Sequence, residues 1–414
     1  MTRQEIWNLI DERQDELLKL CSEMIQIPSI NPPGDVENIV RYIKKYLEDC
    51  GIGYEVVGAS EDKPNILARY GTPDGKTVVF NGHCDVVPVG EEEKWDFPPF
   101  SGKIKNGEML GRGTSDMKCG LGAAMFAIAL FAKEGIQLSG DVLLTVVPDE
   151  ETGGTYGTKW LKENGYLKGD WGIVAEPTGM GNIEVGQKGT MGMNLYATGK
   201  TAQGSLNPYV GENAIEKLVS LLPQMYQLRE MQSTLSGELA VVMEESKKGC
   251  KRIQKAEGVE TIMDHVTVNL GTIQGGVKRN MVPDMAMAEL DVRVPIGVTH
   301  EAVIEKVNEI IKKSGIEGVY ATYENPKGGN YVSVNDPIVK TTQNCVKELL
   351  GIECTATYQW ASSDTRYFRE AGIATIQYGP SNSVGIHNYN ETVDVADIIT
   401  ACKIYAAIIL ELVG

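Results

Sequence analysis

Val142-Leu143-Leu144-Thr145-Val146-Val147-Pro148-Asp149-Glu150-Glu151-Thr152-Gly153-Gly154 begins as an apolar run of strand length and ends in two adjacent glutamates and a glycine pair. The run reads as a buried strand, and the glycines mark a sharp turn after it. Neighbouring carboxylates at a strand end repel each other. The arrangement becomes favourable when a cation binds one of them and leaves the other as a base. A solvated acidic loop would show the same residues, so the other strand ends decide between the two readings.

Three more strands lead into potential metal ligands. Thr77-Val78-Val79-Phe80 runs into Asn81-Gly82-His83-Cys84-Asp85, Trp171–Ala175 into Glu176-Pro177-Thr178, and Ala374–Tyr378 into Gly379-Pro380 with His387 beyond. A further carboxylate, Asp116, closes Gly111-Arg112-Gly113-Thr114-Ser115-Asp116 at an expected helix start. Open α/β sheets place their sites at the carboxyl ends of parallel strands, and histidine with carboxylate suits zinc or a similar divalent ion. Residues two apart in an extended segment point the same way, so Asp85 is placed to accept the second ring N–H of His83, fixing its tautomer.

Around these motifs strands and helices alternate. Helices are expected over 3–26, 35–50, 117–134 (capped by Ser115 or Asp116) and 157–164, with strands over 76–80, 141–147 and 171–175. This rhythm predicts an α/β fold, a mainly parallel twisted sheet with helices on both faces. Near Gly186-Gln187-Lys188-Gly189 the texture changes to alternating strands (191–198, 265–273, 285–294) and a helix over 213–232. We therefore expect an inserted α+β domain over 185–297, with the first domain spanning 1–184 and 298–414. The returning segment carries helices over 301–314, 337–350 and 395–412 and a strand over 374–378.

Composition narrows the function. The chain of 414 residues has 39 basic and 56 acidic side chains, a formal charge of −17, which argues against nucleic acid or an anionic membrane surface as partner. No apolar h-region opens the chain and no run spans a bilayer. Eight scattered cysteines without a C-x-x-C pair read as reduced thiols, and a cytoplasmic location is expected. Thr198-Gly199-Lys200-Thr201 fails as a phosphate loop because position 194 is Asn194 rather than glycine. No G-x-S-x-G elbow is present.

Taken together, Gly82-His83-Cys84-Asp85-Val86-Val87-Pro88, Gly111 to Lys118, Pro148 to Gly153, Glu176-Pro177-Thr178, Asn280-Met281-Val282-Pro283, Asp291-Val292-Arg293, Ser363-Asp364-Thr365-Arg366, Gly379-Pro380 and Asn390-Glu391 carry a resemblance. The chain resembles, over nearly its whole length, the co-catalytic zinc family of acetylornithine deacetylase, succinyl-diaminopimelate desuccinylase, aminoacylase and glutamate carboxypeptidase. The resemblance implies two divalent ions, zinc first with cobalt or manganese as alternatives, bridged by Asp116. His83 and Glu176 would complete one site, and Glu151 and His387 the other. It makes Glu150 the general base, Asp85 the orienter of His83, and Asn280, Arg293 and Arg366 substrate contacts. The implied reaction is hydrolysis of an amide bond in a small N-acyl amino acid, with dipeptidase or carboxypeptidase activity as the alternative. In that family the inserted domain forms a homodimer, and its histidine reaches the partner's site. Here the corresponding residue is Gln203, which donates a hydrogen bond but brings no charge, so a weakly active or inactive metal-binding homologue is a further alternative.

Overall fold

In a computed structural model describing residues 1–382 and 385–414, Asp141–Val147 is a strand buried at every position. It lies inside a nine-stranded sheet whose strands include β1 (Gly53–Val57), β2 (Asn65–Gly71), β3 (Thr77–His83), β4 (Asp141–Val147), β5 (Trp171–Val174), β6 (Asn182–Gln187) and β7 (Ala374–Gln377). Their order is β1-β2-β4-β3-β5-β7-β6. The central four, β4, β3, β5 and β7, run parallel. Strands β1 and β2 on one side and β6 on the other are antiparallel to their neighbours. Strands buried on both faces read as continuous apolar runs, which is why β4 is recognisable from composition alone.

Consecutive strand residues face opposite ways, and β3 shows what lies on each side. The Phe80 ring meets Tyr405 of the helix Val395–Val413 edge-on at 5.3 Å, whereas Asn81 donates to Thr158 Oγ1 of the helix Thr158–Glu163 at 3.3 Å. Helices therefore cover both faces. The helix Lys118–Lys133 is buried from Lys118 to Phe131, and its small residues allow close approach to the sheet. A Cβ at Gly120 would lie 2.1 Å from the carbonyl oxygen of Ala175, just beyond β5. The expected cap of this helix is not found. It starts at Lys118 without a side-chain cap; Ser115 Oγ donates instead to Thr392 O, and the Asp116 carboxylate faces histidines.

Two compact units emerge. The first comprises Met1–Val185, Val332–Thr357 and Ser363–Gly414, and the second Gly186–Tyr331 with Tyr358–Ser362. The second therefore extends past the expected boundary at 297. Its sheet is antiparallel throughout, in the order Thr267–Gly275, Met285–Val294, Gly189–Thr198, Val319–Glu324. Residues 189–198 alternate between buried and half-buried along the strand. Met191, Met193, Leu195 and Ala197 pack with Leu218 and Leu221 of the helix Ala214–Met225 and with Val303 and Val307 of the helix His300–Ser314. A helix followed by a strand has the same periodicity in either kind of domain. The pairing of Val319–Glu324 with Gly189–Thr198 and the packing of Val303 and Val307 against that sheet assign residues 298–331 to the second unit. Among the described residues, no helix is long and apolar enough to cross a membrane.

Candidate active site

Parallel register lines up the strand ends that carry the acidic and imidazole side chains. His83, the last residue of β3, pairs with Val147 of β4, and Glu150 and Glu151 follow in a tight turn closed by Gly153 at φ +97°. A side chain at that φ would be strained, so glycine suits the position. On the other side Asn81 pairs with Val174, which brings Glu176, two residues on, level with His83. Asp116 precedes the buried helix, and His387 sits in the loop after β7 at φ +58°. All five residues, with Glu150, belong to the first unit.

The Asp116 carboxylate stands at the centre. Its Oδ1 lies 3.0 Å from His83 Nε2 and its Oδ2 3.3 Å from His387 Nε2. His387 Nε2 is also 3.2 Å from Glu151 Oε2, and His83 Nε2 is 4.0 Å from Glu176 Oε1. One oxygen of Asp116 thus faces each histidine, and each histidine has its own glutamate. Ligand atoms of His83, Glu150 and Glu176, and of His83, Asp116 and Glu151, cluster within 4.8 Å.

Electrostatics show how strongly the members of the cluster act on one another. Burial raises the pKa of Glu150, Glu151 and Glu176, and neighbouring carboxylates raise it further, Asp364 acting most on Glu150 and Asp116 on the other two. Burial works against charge on His83, yet its hydrogen bonds with Asp116 and Asp85 hold its pKa well above the usual imidazole range. Hydrogen bonds with Asp116 and Glu151 push His387 up to about 10. Burial opposes the Asp116 charge, but His387 and His83 outweigh it and bring its pKa down. Divalent ions would neutralise these carboxylates, and metal binding at such donors releases protons. The donor set fits two ions. It offers imidazole and carboxylate, a carboxylate facing both sides, and a buried oxygen, Glu151 Oε1, with no hydrogen-bond partner among the described residues.

Supporting contacts fix these side chains. His83 Nδ1 lies 2.9 Å from the Asp85 backbone oxygen and 3.4 Å from its carboxylate Oδ1. The carbonyl, not the expected carboxylate, is therefore the closer acceptor, and either leaves Nε2 for a metal. Asp85 Oδ2 accepts from Asn31 Nδ2 at 2.8 Å and from the Glu151 N–H at 3.3 Å. Asn31 has no role in the sequence reading; its signal was the rigid Asn31-Pro32-Pro33-Gly34 turn. Asp364, quoted there only as part of a motif, is 1% exposed and accepts from Thr158 Oγ1 at 2.6 Å. Arg366 lies 4.5 Å from the Tyr367 ring centroid, and the Tyr367 hydroxyl donates to Gly153 O in the Glu150 turn.

Three expected residues belong to the second unit. Gln203 is exposed and forms a backbone bridge with Met281, while the Gly204 N–H donates to Asn280 O at 2.8 Å, so Gln203 and Asn280 are neighbours. Arg293 Nε donates to Asp291 Oδ2 at 2.9 Å on the same face of its strand. His265 and His300 sit beside Asp264 and Glu301, at 2.6 and 2.9 Å.

Comparison with known proteins places the chain in a family. A succinyl-diaminopimelate desuccinylase of Hahella chejuensis is 28% identical over 407 residues, covering 95% of this chain and 96% of that protein. An M20 family metallo-carboxypeptidase from Sulfolobus solfataricus superposes with a TM-score of 0.79 at 23% identity, over 96% of this chain and 99% of that one. A dinuclear metal binding peptidase of the M20 family from Bacillus subtilis gives 0.65 at 17% identity, over 97% and 99%. The family description "Peptidase family M20/M25/M40" matches residues 79–411, which hold all the clustered side chains above. The chain belongs to this metal-dependent family and is a hydrolytic enzyme.

Proposed function

We propose that the protein hydrolyses the amide bond of a small N-acyl amino acid at a centre holding two divalent ions, zinc in the first instance. Asp116 would lie between them, with His83 and Glu176 on one side and Glu151 and His387 on the other. The observation that carries this reading is the Asp116 carboxylate, whose two oxygens face different histidines. Two bound cations supply positive charge that acidifies a water and polarises the scissile carbonyl. Glu150, half-buried beside neighbouring carboxylates, takes the water's proton and returns it to the leaving amine. Asp85 holds His83, and Asn31 holds Asp85. Arg366, beside the Glu150 turn, would contact the substrate, its guanidinium being suited to a carboxylate.

A homodimer through the second unit completes the proposal, with Gln203 donating its amide N–H to the oxyanion in the partner's site. Its support is the apolar surface that unit leaves in solvent: Tyr209 is 94% and Val277 93% exposed, with Leu206, Val210 and Met281 also exposed, and such patches mark interaction sites. Eight buried cysteines, all free, suit a cytoplasmic location. Peptidase activity is the second reading, favoured by the likeness to a metallo-carboxypeptidase. Amine release from a panel of N-succinyl, N-acetyl and dipeptide substrates separates the two, and no turnover of any by the zinc- or cobalt-loaded protein would refute both.

A further inference from the structure

We infer that Glu391 is a positioning residue that sets the direction of the Asp116 carboxylate and ties it to the segment carrying His387; this rests on the metal-site reading above. Glu391 is completely buried. One of its oxygens, Oε1, receives the N–H groups of Gly113 (3.1 Å), Ser115 (2.9 Å) and Asp116 (3.1 Å). The other, Oε2, receives Arg112 Nη1 at 2.6 Å, and Arg112 is itself 2% exposed. Three convergent N–H groups and a guanidinium make a cradle that only an anion fills completely. An amide in its place would turn an NH2 group toward Arg112 or toward the backbone donors.

The cradle has a directional consequence. One of its donors is the N–H of Asp116 itself, so the Glu391 carboxylate fixes the backbone from which the candidate bridging side chain projects. Glu391 also stands four residues after His387, in a segment secured on both flanks. Asn390 Oδ1 accepts the Asp96 N–H at 2.7 Å and Asn390 Nδ2 donates to Asp96 Oδ2 at 2.9 Å. Thr392–Asp394 pairs antiparallel with Glu108–Leu110, and Ser115 Oγ donates to Thr392 O at 3.0 Å. The loops bearing Asp116 and His387, some 270 residues apart in the chain, therefore meet through one buried carboxylate.

Residues that orient metal ligands typically change affinity by about 10–100-fold when mutated. Cobalt is a suitable probe, because its visible absorption reports ligand geometry without turnover. Glu391→Gln should raise the Kd for at least one of two cobalt ions by about tenfold or more and alter the absorption band. Glu391→Asp keeps the charge but sits one methylene short of its donors, and should fall between the two proteins. A purely stabilising role would lower the melting temperature of the metal-free protein and leave the cobalt Kd within about twofold at 25 °C; that result overturns the proposal. If Glu391→Gln does not fold, Glu391→Asp decides: a Kd within about twofold of the parent refutes the inference, and a rise of several-fold supports it. A parent that loads no cobalt overturns the metal reading and this inference with it, whereas a parent that loads two and a variant that binds them equally overturns this inference alone.

Discussion

Glu150 and Glu151 are consecutive in the chain, yet the turn sends them to different work: Glu151 Oε2 lies 3.2 Å from His387, whereas Glu150 clusters with His83 and Glu176. Glu150→Gln should keep metal content near that of the parent while collapsing kcat, because an amide takes no proton from water. Glu151→Gln should lose metal first, from the ion shared with His387. Elemental analysis beside kcat checks the pair, and near-full turnover in Glu150→Gln would remove it as base. The upward shifts in the cluster also set a pH dependence. His387, at about 10, binds its proton more tightly folded than unfolded, and Glu150, Glu151 and Glu176 are shifted upward in the same sense. The folded metal-free state therefore carries more protons, and its stability falls as pH rises. For His387 the contribution is complete below about 6.5 and is lost as pH rises through about 10. Half of that side chain is solvent-exposed, which weakens the effect. Chelator-treated protein should melt at a lower temperature at pH 9 than at pH 6.5, and zinc should remove most of that difference. A flat profile would contradict it.

At the scale of elements, the site depends on how closely the helix Lys118–Lys133 approaches the sheet. The helix emerges from Asp116, and its Gly120 presses on Ala175 next to Glu176, so one contact sets the spacing of two candidate ligands. Gly120→Ala would place a Cβ 2.1 Å from a backbone oxygen that cannot swing away. Overpacking of this kind costs about 1–3 kcal/mol, and metal occupancy should fall with stability. Gly53→Ala, where a Cβ meets nothing within 4 Å, is the control and should change stability by less than about 0.5 kcal/mol. Denaturant unfolding with metal analysis tests both. Equal stability of the two variants would show that the helix has room to move.

For the whole molecule the question is whether activity belongs to one chain or two. Gln203 begins a short turn on the second unit, and in the proposed dimer it serves the partner's site. Gln203→Ala should lower kcat by about tenfold to a few hundredfold, somewhat less than the loss of a strong oxyanion donor. Gln203→His should leave activity on a simple acyl substrate equal or higher. Mixing gives a sharper test. Hybrid dimers of Glu150→Gln and Gln203→Ala contain one site with both groups intact, so subunit exchange should raise activity well above either variant alone. No gain on mixing, with dimers confirmed by sedimentation, would place Gln203 outside the partner's chemistry.

The α/β class and the strand ends bearing His83, Glu150, Glu151 and Glu176 were legible in the sequence, because a strand buried on both faces is mostly apolar and its ionisable residues gather at or beyond its end. Local pattern could not place residues 298–331, since their helix and strand have the same periodicity in either unit and tertiary packing on Gly189–Thr198 assigns them. Nor could it show that the Asp85 backbone oxygen lies nearer His83 than the carboxylate does. The roles of Asn31, Asp364 and Glu391 were hidden for the same reason. Each acts on a residue far away in the chain, across distances that exist only once β3, β4 and β5 lie in register and the Asp116 and His387 loops close over their ends.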